Sequence, residues 1–147
     1  MSELVVKGFV ELKLYRGKTL ERVIRGENLI MAAGKNAITH RLVGDGSPPP
    51  RPSFVAFGLS GTAVVDTQTT LVSETANIVR AALSVVRLNN LSTYTGTATN
   101  AIGAVTVLEM GIFSASPAGT MYARFLPQTF LFEVGLSCLV NWAITIG

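Results

Sequence analysis

Cysteine, histidine and charge are all scarce in this chain of 147 residues, and each shortage excludes something. The one cysteine, Cys138, rules out an intrachain disulfide and any zinc site built from several thiolates. The one histidine, His40, would have to combine with Asp45 or Asp66 in a Ser-His-Asp triad, and no G-x-S-x-G elbow occurs. His40 therefore reads as a surface or helix-end residue, and the expectation is a protein that is not an enzyme, with no catalytic, cofactor-binding or metal site. Charged residues make up 14% of the chain against about 25% in typical domains, while 48% are apolar, which excludes a disordered tail and a solvated helical bundle. No fixed-period repeat or coiled-coil heptad pattern occurs. The most apolar stretch, 130–146, is interrupted by Glu133 and Asn141 and does not read as a membrane span. The start, MSELVVKGFVELK, lacks the basic-then-apolar layout of a signal peptide, so synthesis as a soluble cytoplasmic chain without a membrane partner is expected.

The charge that is present is unevenly placed. Residues 1–51 hold nine of the twelve Lys and Arg and five of the nine acids, whereas residues 52–147 hold three and four. A surface so poor in charge over the second stretch predicts burial against other subunits, hence an oligomer. The net charge of +3 invites a nucleic-acid reading, but Glu11, Glu21 and Glu27 interrupt the positive charges and no basic run develops, so no nucleic-acid partner is expected.

Periodicity indicates a mainly β fold. Val10, Leu12 and Leu14 alternate with Glu11 and Lys13, Arg16-Gly17-Lys18 forms a turn, and 19–25 returns as a strand whose charges suit a wet or edge position. The spacing of Ala37, Ile38, Arg41 and Leu42 predicts a short helix over 34–43, stopped at Gly44 and docked through Ile38 and Leu42. GDGSPPPRPS is an exposed, stiff loop, 54–59 a buried strand, and 63–75 a loop anchored by Leu71. The segment 76–88 reads as strand and 92–103 as a polar connection. Beyond it, 105–108 and 121–125 alternate as strands, and Leu136, Cys138, Val140, Trp142, Ile144 and Ile146 share one face of a long last strand with Trp142 as core anchor. Seven or eight strands with one helix predict a single domain over 1–147, an antiparallel β-sandwich or jelly-roll-like barrel.

Few residues carry candidate chemistry. Gly17-Lys18-Thr19 imitates a phosphate-binding loop, but the required earlier glycine position is Leu12 and strand alternation follows. Asn90-Leu91-Ser92 matches a glycosylation acceptor, a pattern common by chance. Glu109 and Glu133 lie in apolar strand contexts; two carboxylates beside a cleft would suit a glycosidase, whereas pairing with Arg80 or Arg124 at a sheet edge or subunit contact is the structural alternative. Lys13, Arg16, Lys18 and Arg22, in the basic hairpin at about 4–25, are candidates for contact with an acidic partner surface.

The order of segments NLIMAAGKNAITHRLVG (28–44), FVAFGLSG (54–61), the Thr-rich loop to Leu71 and Glu74, Arg80, EMGIFSA (109–115), GTMYARF (119–125) and VNWAITIG (140–147) resembles that of small β-rich virion proteins of tailed bacteriophages. That group includes capsid decoration (cement) proteins and tail-tip or fibre-associated proteins. The resemblance implies a virion location on the capsid surface, a homo-oligomer such as a trimer, and the major capsid protein as partner. A tail protein or receptor-binding role is the alternative it implies. The apolar TFLFEVGLSCL at 129–139 departs from the polar, Gly- and Asp-containing stretch usual in such sequences.

Overall fold

A computed structural model describes residues 5–147, with eleven strands and one helix among them. β1 (Val6–Arg16) and β2 (Thr19–Ile30) form the N-terminal hairpin, followed by α1 (Ala32–Val43) and β3 (Phe54–Gly58). Then come β4 (Ala81–Ala82), β5 (Ser84–Leu88), β6 (Leu91–Thr99), β7 (Val105–Val107), β8 (Glu109–Phe113), β9 (Met121–Phe125), β10 (Phe130–Phe132) and β11 (Leu136–Ile146). Nine of the strands make one antiparallel sheet in the order β4-β3-β8-β9-β2-β1-β11-β6-β5, and β7 pairs with β10 separately.

The sheet's two ends are consecutive in the chain. Only Leu83 separates β4 at one end from β5 at the other, so the sheet must curl until its edges nearly meet. Gly96 shows how close they come: a Cβ there would lie 2.4 Å from the Ala82 carbonyl oxygen, so β6 can lie under β4 only without a side chain at that position. The expected sandwich or barrel is a nearly closed antiparallel barrel-like sheet, which leaves few strand edges unpaired.

Inside the curl, alternation sets the core. Val10, Leu12 and Leu14 of β1 and Leu136, Cys138, Val140, Trp142 and Ile144 of β11 are buried, and Ile146 partly so. Trp142 is fully buried, meets Phe125 edge-on with ring centroids 6.2 Å apart, and donates its indole N–H to Asn28 Oδ1 at 3.3 Å. β2 and β9 share only the Leu29–Arg124 and Ile30–Ala123 pairs, and the Phe125 ring fills the space beneath Gly26 where the two strands part. The β7–β10 pair adds Val107, Phe130 and Phe132 to the same core, with Phe132 edge-on to Phe57 at 5.7 Å. Each such side chain contributes about 1.5–3 kcal/mol on leaving water.

Several local expectations are corrected. Of the segment 76–88 read as strand, 76–80 is turn and irregular backbone, and the strands are β4 and β5 alone. The 92–99 part of the predicted polar connection is strand β6, fully paired with β11; Thr93, Thr95, Thr97 and Thr99 are β-branched and alternate with the buried Tyr94 and Ala98. The returning strand runs to Ile30 and sits inside the sheet order, although 19–28 has a backbone ladder with β1 alone. The helix docks through Gly34 and Ala37, while Leu42 is 73% exposed. A Cβ at Gly34 would lie 2.7 Å from the Tyr122 carbonyl oxygen, so helix and β9 meet backbone to backbone, a contact that apolar periodicity cannot reveal. The hairpin β1–β2 extends beyond the expected 4–25, and residue 4 lies outside the described residues.

Candidate functional site

The register of β11, β6 and β5 defines an outward sheet face. Opposite the buried row, Ser137, Leu139, Asn141, Ala143 and Thr145 of β11 point outward; across from them stand Thr99, Thr97, Thr95, Thr93 and Leu91 of β6. Ser84, Val86 and Leu88 of β5 continue three of these rows. None of these side chains is charged. Val86 and Leu88 are 71% and 69% exposed, and Thr95 Oγ1 donates to Asn141 Oδ1 at 3.0 Å, which ties two polar groups of the face to each other. Charge returns on β1, where Lys7, Glu11 and Lys13 stand opposite Thr145, Asn141 and Leu139. Uncharged side chains, apolar or with short polar groups, make this face a surface that a packed partner covers without desolvating a charge.

The four candidate contact cations occupy the hairpin's far end, but acids engage two of them. Arg16 pairs with Glu21 at 2.7 Å and Glu133 at 3.2 Å, and Lys13 lies 3.8 Å from Glu11. Arg22 donates to the Thr129 carbonyl at 3.1 Å, and Lys18 is exposed at the turn. Arg25 adds a 2.8 Å bond to Glu11, and that guanidinium, ahead of the cost of desolvation, holds the Glu11 carboxyl below its ordinary range. The hairpin is thus a network of both signs, and of the four candidate cations Lys18 and Arg22 are the two outside carboxylate contacts among the described residues.

Of the four residues expected to pair, the structure joins Glu109 and Arg124. Both are fully buried, with Arg124 Nη2 3.0 Å from Glu109 Oε1. The pair also holds the loop after β3. Glu109 Oε1 accepts from Val72 N at 2.8 Å, and Oε2 accepts from Ser73 N at 2.8 Å and Ser60 N at 3.1 Å. Arg124 Nη1 donates to the Thr62 carbonyl at 2.8 Å. These partners compensate the two buried charges, which makes the pair a clamp on 60–73 with its bonding capacity largely taken up.

Arg80 and Glu133 lie elsewhere. Arg80 forks onto Glu74 at 2.8 and 2.9 Å, donates to the Ala115 and Ala118 carbonyls, and stacks 3.9 Å over Phe113. Glu133 corrects the expectation of a partly buried acid: it is exposed in the turn between β10 and β11, where its apolar neighbours Leu131 and Val134 are exposed as well. Glu109 and Glu133 therefore do not share a cleft. His40, in the last turn of α1, is 2.9 Å from Asp45 Oδ1 at the surface, and Gly44 caps the helix by donating to the His40 carbonyl. Cys138 is buried, and burial pushes its thiol up to about 12. Among the described residues no group of three His, Cys, Asp or Glu converges to hold a metal ion, and no helix is long and apolar enough to cross a membrane.

The outward face was missed in the sequence because its middle strand, β6, reads as polar; the signal was the threonine at every second position from Thr93 to Thr99. Compared with known proteins, the chain matches no family model and no curated sequence significantly.

Proposed function

We propose that this protein is a non-catalytic structural subunit of a tailed-bacteriophage virion: a capsid decoration (cement) protein that associates with copies of itself, as a trimer, and binds the assembled shell of major capsid protein. The observation that carries the reading is the uncharged outward face of β11, β6 and β5, in a chain whose second part is depleted of charge throughout. A solvated face on an isolated domain normally carries Lys, Glu or Asp, and their loss from the core of a contact patch is a compositional mark of interfaces. The order of segments supplies the virion part of the reading and the trimer number. A cement protein repeats one weak contact at every equivalent place on a symmetric shell, so its hold comes from many copies acting together and needs no reactive group.

Lys18 and Arg22, with Lys13 and Arg16 beside them, are the proposed electrostatic contribution to shell contact. A sugar-binding tail role has less behind it, because Trp142, Tyr94 and Tyr122 are buried and the half-buried Tyr15 of β1 is not a platform by itself. The test is co-sedimentation of the purified protein with undecorated shells and, separately, with isolated tails. Saturable binding to shells alone supports the reading; binding to tails alone, or to neither, refutes it.

A further inference from the structure

A groove of about 380 Å³ opens between α1, the proline-rich loop, the start of β6 and the end of β11. Its volume falls in the range of about 300–1,000 Å³ found for small-molecule pockets. Apolar side chains from three separate elements line it: Ile38 from the helix, Ile144 and Ile146 from β11, and the Tyr94 ring from β6. Two cations complete it, Arg41 from the helix and Arg51 from the loop. No acid is among the lining residues, and Asp45, the acid of the adjoining loop, is held by His40 at 2.9 Å.

The groove is braced before any ligand arrives. Tyr122 donates its hydroxyl to the Pro50 carbonyl at 2.6 Å, which ties the loop to the barrel, and Arg41 Nη2 donates to the Pro49 carbonyl, which ties the loop to α1 and fixes one edge of the guanidinium. Arg51 is fixed in the same way, through Nη1 to the Pro52 carbonyl at 3.0 Å. Each guanidinium has five N–H donors, so both keep donors for an incoming acceptor. Prolines 48–50 limit the loop's conformations and so lower the ordering cost of binding.

We propose that this groove binds a small amphiphilic carboxylate, an aliphatic or aromatic body a few carbons long ending in one carboxylate. The body lies against Ile38, Ile144, Ile146 and the Tyr94 ring, and the carboxylate lies between Arg41 and Arg51. An uncharged apolar molecule would leave both cations unused, and a phosphate or sulfate without an apolar body would leave the isoleucine walls wet. This inference stands apart from the virion reading, since it uses the inner end of the barrel and not the outward face.

The test is a titration of isotopically labelled full-length protein with hexanoate, with 1-hexanol as the uncharged counterpart and sodium chloride as the ionic-strength control, read at the isoleucine methyl resonances. Hexanoate is expected to shift Ile38, Ile144 and Ile146 saturably in the millimolar range, and more tightly than hexanol. The double variant R41Q/R51Q should weaken hexanoate by about tenfold, the scale of a charge-assisted hydrogen bond, while leaving hexanol unchanged. Because those arginines also brace the loop, Leu42→Glu gives an independent check: position 42 is exposed at the groove's rim, and a carboxylate there should repel hexanoate without disturbing the fold. Equal affinities for hexanoate and hexanol, no saturable shift, or indifference to both variants would overturn the proposal. So would saturation of the same methyls by an acidic, leucine-containing peptide amide where hexanoate fails, which would assign the groove to a protein partner.

Discussion

Glu109→Gln removes one charge from the buried pair and keeps its shape, so its cost can be worked from the contacts. Arg124, fully buried, is left with its charge uncompensated, and breaking a buried pair from one side costs about 3–5 kcal/mol. The amide cannot replace the carboxylate, because each of its two oxygens accepts from at least two donors: Arg124 and Val72 N on one, Ser60 N and Ser73 N on the other. Either orientation of Gln aims an NH₂ at donors. Against a total of about 5–15 kcal/mol the loss is large, and at about 2–4 °C per kcal/mol for a chain near this size it lowers Tm by roughly 10 °C. The release is also local, since the clamp holds 60–73. Urea unfolding and amide exchange measure both parts: a midpoint shift worth about 4 kcal/mol, with exchange at Val72 and Ser73 accelerated more than at Val140 in β11. A loss below about 1 kcal/mol, or uniform acceleration across the barrel, would show that the pair is not the clamp described.

Further outcomes follow from other features. Ending the chain at Val140 removes Trp142 and Ile144 from a strand paired on both sides, and the product should be insoluble or lack a cooperative transition; a soluble, cooperatively unfolding product would place β11 outside the core. The buried Cys138 thiol, pushed from an ordinary 9.0 up to about 12, should resist thiol reagents in the native protein and react on unfolding. Because its folded pKa is raised, its contribution to stability is complete below pH 9.0 and is lost as pH rises toward 12, at about 1.4 kcal/mol per pH unit; Cys138→Ala should flatten that decline in urea midpoints, and an unchanged decline would contradict this. Replacing Lys13, Arg16, Lys18 and Arg22 with Gln should reduce retention on shells and its salt sensitivity together, and equal retention at every salt concentration would contradict an electrostatic role for the hairpin in shell contact.

What the sequence made legible was burial that repeats every second residue. From Leu136 to Ile144 the apolar row maps onto the buried row of β11, and Trp142 sits where an anchor was expected. That Glu109 needs an arginine was legible because it interrupts an apolar strand, but the sequence left Arg80 and Arg124 both open and placed the pair at a sheet edge or subunit contact, whereas it lies between β8 and β9 inside the sheet. Glu133 misled for a related reason: its neighbours Leu131 and Val134 are apolar but exposed, so hydrophobic surroundings in sequence did not mean burial in space. The helix face was misread because contact runs through Gly34 and Ala37, whose small size lets backbones approach but leaves little hydrophobic signal. The groove was not visible at all, since Ile38, Tyr94 and Ile144 come together only when the barrel curls under α1.

The role assigned to the uncharged face is tested most directly by sedimentation equilibrium of the wild-type chain beside Val86→Glu. Position 86 is 71% exposed on β5, so a carboxylate there leaves the isolated barrel intact, and matching circular dichroism will verify it. Within a packed contact the same carboxylate is desolvated without a partner, at a cost of a few kcal/mol. The wild-type protein should associate at micromolar concentration and the variant should sediment as a monomer. A monomeric wild type, or a variant that associates as tightly as wild type, would contradict a role for this face in assembly.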